Sequence, residues 1–239
     1  MNYQSPLKTD VEVKYDDTPR MDVVDLIDHP PTNVLEIGCA AGATGLFVKK
    51  RFPGCRYTGI ELDPGFCATA ATRLDQCIQC NLDEAGALGR ALDGNPFDLV
   101  ICADVLEHLY DPWRILHELL GLMSPGGTLI ASLPNLQHIS VLQEIVDGRF
   151  RYQPHGLLDA THIRFFTRKE IFELFRGTGW EIDCCVRKMT GSVPDSRFPT
   201  HVLHGRIQIR DVTREEAEDF LTFQYLIRAK PGTSASVAA

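Results

Sequence analysis

Nowhere among the 239 residues do about 18 apolar residues follow one another, the length a membrane-crossing helix needs, so no span is expected. Residues 1–10 lack a basic segment followed by an apolar one, which argues against a secretory signal and for a cytoplasmic location. Lys/Arg runs are missing too, apart from Lys49-Lys50-Arg51, and the formal charge is −8. A polyanionic partner such as DNA or RNA therefore finds no electrostatic footprint. Cys77-Ile78-Gln79-Cys80 has no second pair at a zinc spacing, and on a strand its thiols point to opposite faces. The eight cysteines are expected as free thiols, and no metal site is expected. No internal repeat is visible. With 44% hydrophobic residues, the chain can bury one sizeable core.

What is present is an alternation of apolar runs with helical patterns from Asn33 to Ser132, the pattern of βαβ units and a parallel sheet. Strands are expected near 33–38, 56–61, 77–81, 97–103 and 127–133, with helices near 43–52, 65–75, 84–91 and 112–122. Asp111-Pro112 opens the last of these with an acidic cap and a proline at the first position. Two capping boxes, Thr167 to Glu170 and Thr213 to Glu216, start later helices that end near Gly177 and Leu221. Trp180–Val186 and Thr222–Ala229 read as closing strands. Gly191 to His204, with Pro194 and Pro199, reads as a surface loop.

The stretch Asn33-Val34-Leu35-Glu36-Ile37-Gly38-Cys39-Ala40-Ala41-Gly42 is the most informative. Small residues at Gly38, Ala40 and Gly42 let the backbone turn sharply beside a ligand. Glu36 places a fixed negative charge there, suited to a cationic or amine-bearing ligand and repellent to a pyrophosphate. A dinucleotide fingerprint reads G-x-G-x-x-G, and this stretch matches it poorly. Glu61 follows Gly38 by 23 positions at the end of the second strand, where a carboxylate can accept ribose hydroxyls.

The pattern E-x-G-x-A-x-G resembles the first motif of the class I S-adenosylmethionine-dependent methyltransferases. So do four later segments in the same order. They are Gly59 to Pro64; Asn81-Leu82-Asp83; Phe97-Asp98-Leu99-Val100 through Val105-Leu106-Glu107-His108-Leu109; and Leu122 to Ser132 around Pro125-Gly126-Gly127. The resemblance covers about residues 33–180. It implies a doubly wound, mostly parallel seven-stranded sheet of the Rossmann-like kind with an antiparallel edge. It further implies S-adenosylmethionine as cofactor, held by Glu36, Gly38, Cys39, Ala40, Gly42, Glu61, Leu62, Asn81, Leu82, Asp104, Val105 and His108. Residues 1–31 are expected to form an N-terminal cap, with Tyr15 and a short helix from Met21 to Ile27 covering one side of the cofactor. The methyltransferase domain is expected over 32–230 and a disordered tail over 231–239.

Residues 134–166 form a long connection after the fifth strand and are expected as a lid with a helix from Leu136 to Asp147. The run Gly156 to Thr167 resembles an "LDxTHxRFFT" element of bacterial methyltransferases found beside glycosyltransferases and polysaccharide genes. Candidates for the general base are His138, His155, His162 and Asp159. The first two flank the helix that would roof the site, and an imidazole titrates near neutral pH. Asp159 and His162 can instead pin the loop together with Arg164.

The leading reading is methyl transfer to a hydroxyl of a small molecule, a sugar or glycan. A small aromatic or polyketide-like acceptor, with Phe150, Tyr152, Phe165 and Phe166 lining its pocket, stays open. So does a non-catalytic cofactor-binding module. A magnesium site from Asp104, Asp159 and Asn135 ranks below these. A homodimer is compatible with everything above.

Overall fold

The computed structural model describes residues 17–233 other than Asp93, Pro194 and Ser196. Its centre is a seven-stranded sheet. The strands are β1 (Asn33–Ile37), β2 (Arg56–Glu61), β3 (Gln76–Gln79), β4 (Phe97–Ala103), β5 (Met123–Pro134), β6 (Trp180–Met189) and β9 (Thr222–Pro231). Their order is β3-β2-β1-β4-β5-β9-β6. The first five pair in parallel, and β9 runs antiparallel to both β5 and β6. This is the doubly wound, Rossmann-like architecture of class I methyltransferases.

The strands are apolar on both faces because both faces are covered. Leu35 and Ile37 of β1, with Val100 and Cys102 of β4, join one core cluster. Their alternate neighbours Val34, Leu99 and Ile101 join the other. On the first face lie α5 (Pro112–Leu120) and α7 (Arg168–Gly177), burying Ile115, Leu116, Leu119, Ile171, Leu174 and Phe175. Asp111 caps α5 by accepting from the Arg114 N–H at 3.0 Å, and Thr167 caps α7. Trp180 ties α5 to the sheet by donating its Nε1–H to the Leu116 carbonyl at 2.8 Å. On the second face lie α1 (Met21–Val24), α2 (Ala43–Arg51) and α3 (Pro64–Ala70), with Val23, Val24, Val48 and Ala70 buried. The expected first helix runs one turn rather than to Ile27.

The strand order reverses between β1 and β4, so the carboxyl ends of these strands splay into a crevice. Residues 134–166 leave β5 over that crevice. They form α6 (Ile139–Val146) and an irregular return that rejoins the sheet at the Asn135–Phe166 bridge. The short α4 (Ala87–Ala91) packs on the first face, where Leu88 joins the cluster of α5 and α7.

One expectation is corrected here. The region read as loop contains β7 (Thr200–His204), which pairs with β8 (Ile207–Val212) across Gly205-Arg206. Ile207 and Ile209 alternate with Gln208 and Arg210 and pack under α6 and α8 (Arg214–Leu221), beside Ile139, Val212 and Phe220. The alternation is real but only a few residues long, and the prolines ahead of it mask it. All eight cysteines are free. No described helix is long and apolar enough to cross a membrane.

Candidate active site

Three left-handed residues build the turn after β1: Gly38 at φ 69°, Ala40 at φ 45° and Gly42 at φ 79°. At Gly38 a side chain is excluded twice, because an added Cβ would also sit 2.9 Å from Val105 Cγ2. Ala40 tolerates the conformation at a cost of about 1–2 kcal/mol. Its N–H donates to Glu61 Oε2 at 2.8 Å, a charge-assisted bond that holds the strain in place. The Gly38 and Cys39 amides donate to the Ile60 carbonyl at 2.8 and 3.1 Å, so the turn is tied to β2.

Eleven of the thirteen expected cofactor residues line one cavity of about 700 Å³: Glu36, Gly38, Cys39, Ala40, Glu61, Leu62, Asn81, Leu82, Asp104, Val105 and His108. Gly42 does not line it. Its left-handed turn starts α2 instead, against Ala70. Tyr15 lies outside the described residues. The Cys39 thiol lies 3.6 Å from the Cys77 sulfur.

Two of the carboxylates carry contacts that the sequence does not show. Glu36 is buried and accepts from the Tyr57 hydroxyl at 2.9 Å. Burial pushes its carboxyl up to about 8, which outweighs the Tyr57 bond, so its charge is conditional rather than fixed. Glu61, expected to face a ribose, also accepts from the Leu62 and Asp63 amides at 2.8 and 2.9 Å through Oε1. Three backbone donors thus anchor it at the cavity edge.

A second, larger cavity of about 1240 Å³ adjoins the first. The two share Arg20, Glu61, Leu62, Asp104, His108 and Thr161. Asp104 sits in the dividing wall at φ 53°. Its N–H donates to Ser132 Oγ at 3.0 Å, and its Oδ1 accepts from the same hydroxyl at 2.9 Å. The Gln224 amide and the Arg20 guanidinium also donate to it. Glu107 is 1% exposed. Burial and the Asp104 charge hold its carboxyl well above the ordinary range. His162, also buried, points its Nε2 toward Glu107 Oε1 at 3.9 Å, and burial lowers its imidazole.

The expected bases separate. His155, Asp159 and His162 line the larger cavity, and His155 is exposed there. Asp159 Oδ1 accepts from the Thr161 N–H and hydroxyl at 2.7 and 2.6 Å, so it shapes the loop. His138 lines neither cavity. It is the cap of α6, with Nδ1 2.8 Å from Ser140 Oγ and Nε2 2.8 Å from Thr190 Oγ1. Its expected role as roof and base is corrected on that ground, since both ring nitrogens are engaged. Asn135, a candidate magnesium ligand by sequence, is fully buried and donates to the Asp219 and Thr222 carbonyls, both at 2.8 Å. Lys188 and Gln224 of the antiparallel edge also line the larger cavity, and no local sequence signal marks them.

Residues 35–129 match the family model described as Methyltransferase domain. Trans-aconitate 2-methyltransferase of Escherichia coli is 23% identical over 194 residues, 79% of this chain and 73% of that protein. Ubiquinone biosynthesis O-methyltransferase of Aeromonas salmonicida is 27% identical over 162 residues, 66% of this chain and 65% of that protein. Among solved structures, a chain from the complex of the Haloferax volcanii Trm112 methyltransferase activator with its methyltransferase is similar at a TM-score of 0.59 and 17% identity. The match covers 90% of this chain and 89% of that one. The structural likeness shows the fold.

Proposed function

We propose, on the premise that this chain is an S-adenosylmethionine-dependent methyltransferase, that it methylates a hydroxyl of a polar small molecule such as a sugar or glycan unit. One observation carries the reading: the cavity that fits the cofactor opens through Asp104 and His108 into a larger one that presents His155, Asp159, His162, Lys188 and Gln224. An acceptor there lies within reach of the donor without leaving the protein.

The residues present fit the cofactor. The smaller cavity has the size of a small-molecule site. Gly38 leaves no side chain in the turn, and the Glu36 carboxyl gains an ionised partner when a cation arrives. Glu36 and Asp104 would hold the cationic methionine part, Glu61 the ribose side, and Asn81 with Leu82 the adenine. S-adenosylmethionine supplies a methyl group on a positive sulfur, already activated toward a nucleophile. The protein orients the acceptor, keeps water out under residues 134–166, and removes the hydroxyl proton. His155 is the base we assign, because it is exposed to the larger cavity and its ring nitrogen can accept a proton.

An aromatic acceptor has less support. Phe166 is buried in the main core, and Phe150 meets Tyr152 and Phe165 edge to face, each with centroids 5.8 Å apart. None of the four lines either cavity. The ubiquinone relative's name, an O-methyltransferase, favours oxygen as the accepting atom.

The test has two stages. Calorimetry should show binding of S-adenosylhomocysteine. Labelled methyl transfer to nucleotide sugars, monosaccharides and phenolic acids should then favour the sugars, and His155→Ala should lower kcat by about 100-fold or more. Transfer to phenolic acids alone would reverse the acceptor assignment. Binding with no transfer to any acceptor would leave a cofactor-binding module.

A further inference from the structure

Three residues at the floor of the larger cavity form a set that methyl transfer by itself does not need. Glu107, His108 and His162 each offer one donor atom, and these atoms lie within 4.8 Å of one another. Glu107 and His108 come from the 3-10 turn after β4, and His162 comes from the lid. We propose that these three bind a divalent first-row transition-metal ion, with Mn²⁺ the test ion, whose remaining positions face the acceptor.

Glu107 is the second, independent observation. It is 1% exposed and lines the cavity, yet its Oε2 has no hydrogen-bond partner. A buried acceptor without a partner costs about 1–3 kcal/mol, more when charged, so natural proteins usually meet one with an ordered water or an ion. The nearest basic group, His162 Nε2, stands 3.9 Å from Oε1, beyond a hydrogen bond but suited to two ligands of a common ion.

The surroundings orient the set. His108 Nδ1 lies 3.2 Å from the Thr161 carbonyl oxygen, which fixes that nitrogen as the donor and leaves Nε2 with its lone pair free. The Thr161 hydroxyl is in turn held by Asp159 at 2.6 Å. The Ile163 and Arg164 amides both donate to the Glu107 carbonyl at 3.0 Å, tying the lid to the turn that carries the other two ligands. The His108 and His162 rings meet edge to face with centroids 4.8 Å apart.

Two imidazoles and one carboxylate suit iron, cobalt or zinc and hold manganese more weakly, whereas magnesium and calcium prefer all-oxygen sets. Three protein ligands leave coordination positions open. An acceptor hydroxyl bound there would lose its proton more readily, and His155 could receive it. That role rests on the hydroxyl reading above; binding of the ion does not.

The experiment uses the full chain, stripped with a chelator and dialysed, with MnCl₂ added and free Mn²⁺ followed by electron paramagnetic resonance. One ion per chain is expected. Glu107→Gln, His108→Ala and His162→Ala should each weaken binding by about 100-fold or more. His162 does not line the cofactor cavity, so His162→Ala should bind S-adenosylhomocysteine within about threefold of wild type, showing that it folds. Wild type that retains no Mn²⁺ at millimolar concentration, or variants that bind it equally, would overturn the site. Bound Mn²⁺ without transfer to any sugar would support the site and sink the acceptor reading. Sugar methylation undiminished in EDTA, with no Mn²⁺ bound, would do the reverse.

Discussion

The guanidinium of Arg20 donates to the carboxylate of Asp104, 84 positions further along, across the wall between the two cavities. The same guanidinium reaches Asp22 at 2.9 Å and the Gln224 amide oxygen at 3.1 Å. The segment leading into α1 is thereby fastened to the ends of β4 and β9, and residues 17–20 close the smaller cavity from one side.

Arg20→Ala should loosen that closure. Asp104 is 42% exposed at its side chain, so solvent screening reduces the bond to about 1 kcal/mol. Calorimetry should show S-adenosylhomocysteine binding about fivefold weaker, with Tm lowered by about 2–4 °C. Unaltered binding would mean that the segment plays no part in closing the cavity.

Glu36 makes stability depend on pH in an unusual direction. Its folded value of about 8 lies above the ordinary 4.5, so the folded state keeps a proton that the unfolded state releases. The contribution is complete below pH 4.5, shrinks as pH rises, and is gone above about pH 8. It amounts to at most about 4–5 kcal/mol, at roughly 1.4 kcal/mol per unit. Melting curves from pH 5 to 8.5 should show this decline in wild type, and Glu36→Gln should flatten it. Binding of S-adenosylmethionine near pH 7 should release protons, seen as a buffer-dependent enthalpy that the Gln variant lacks.

Gly38→Ala combines a left-handed φ with a 2.9 Å approach to Val105 Cγ2. A loss of about 1–3 kcal/mol is expected, lowering Tm by about 3–10 °C. Cofactor binding should fall further than stability, because the turn itself is displaced. Adding Val105→Ala should relieve the contact but not the φ, and so recover only part of the loss.

His138→Ala should behave as a capping variant. Losing the N-cap of α6 costs about 1 kcal/mol, read as a lower Tm. Its kcat should match wild type, in contrast to His155→Ala. A fall in kcat on His138→Ala would return it to the list of bases.

The sheet and the glycine turn were legible because their signals are local. A left-handed turn needs small residues wherever it lies, and Asp111, Thr167 and Thr213 announce their helices within four positions. The β7–β8 hairpin escaped because its apolar alternation is short and follows two prolines. His138 was misread because a histidine before a helix looks alike whether it caps that helix or faces a substrate; Thr190, 52 positions away, decides between them.

The chain's own order of residues therefore determined the winding of the sheet, the strained turn after β1 and the chemistry of the cofactor. These rest on backbone conformation and on which faces must be buried. Tertiary structure alone decided the rest. It placed Arg20 on Asp104, stripped Glu36 of its fixed charge, and brought His162 within 3.9 Å of Glu107. Contacts between distant segments and the loss of water around a carboxylate are properties of the packed chain, and no stretch of sequence carries them.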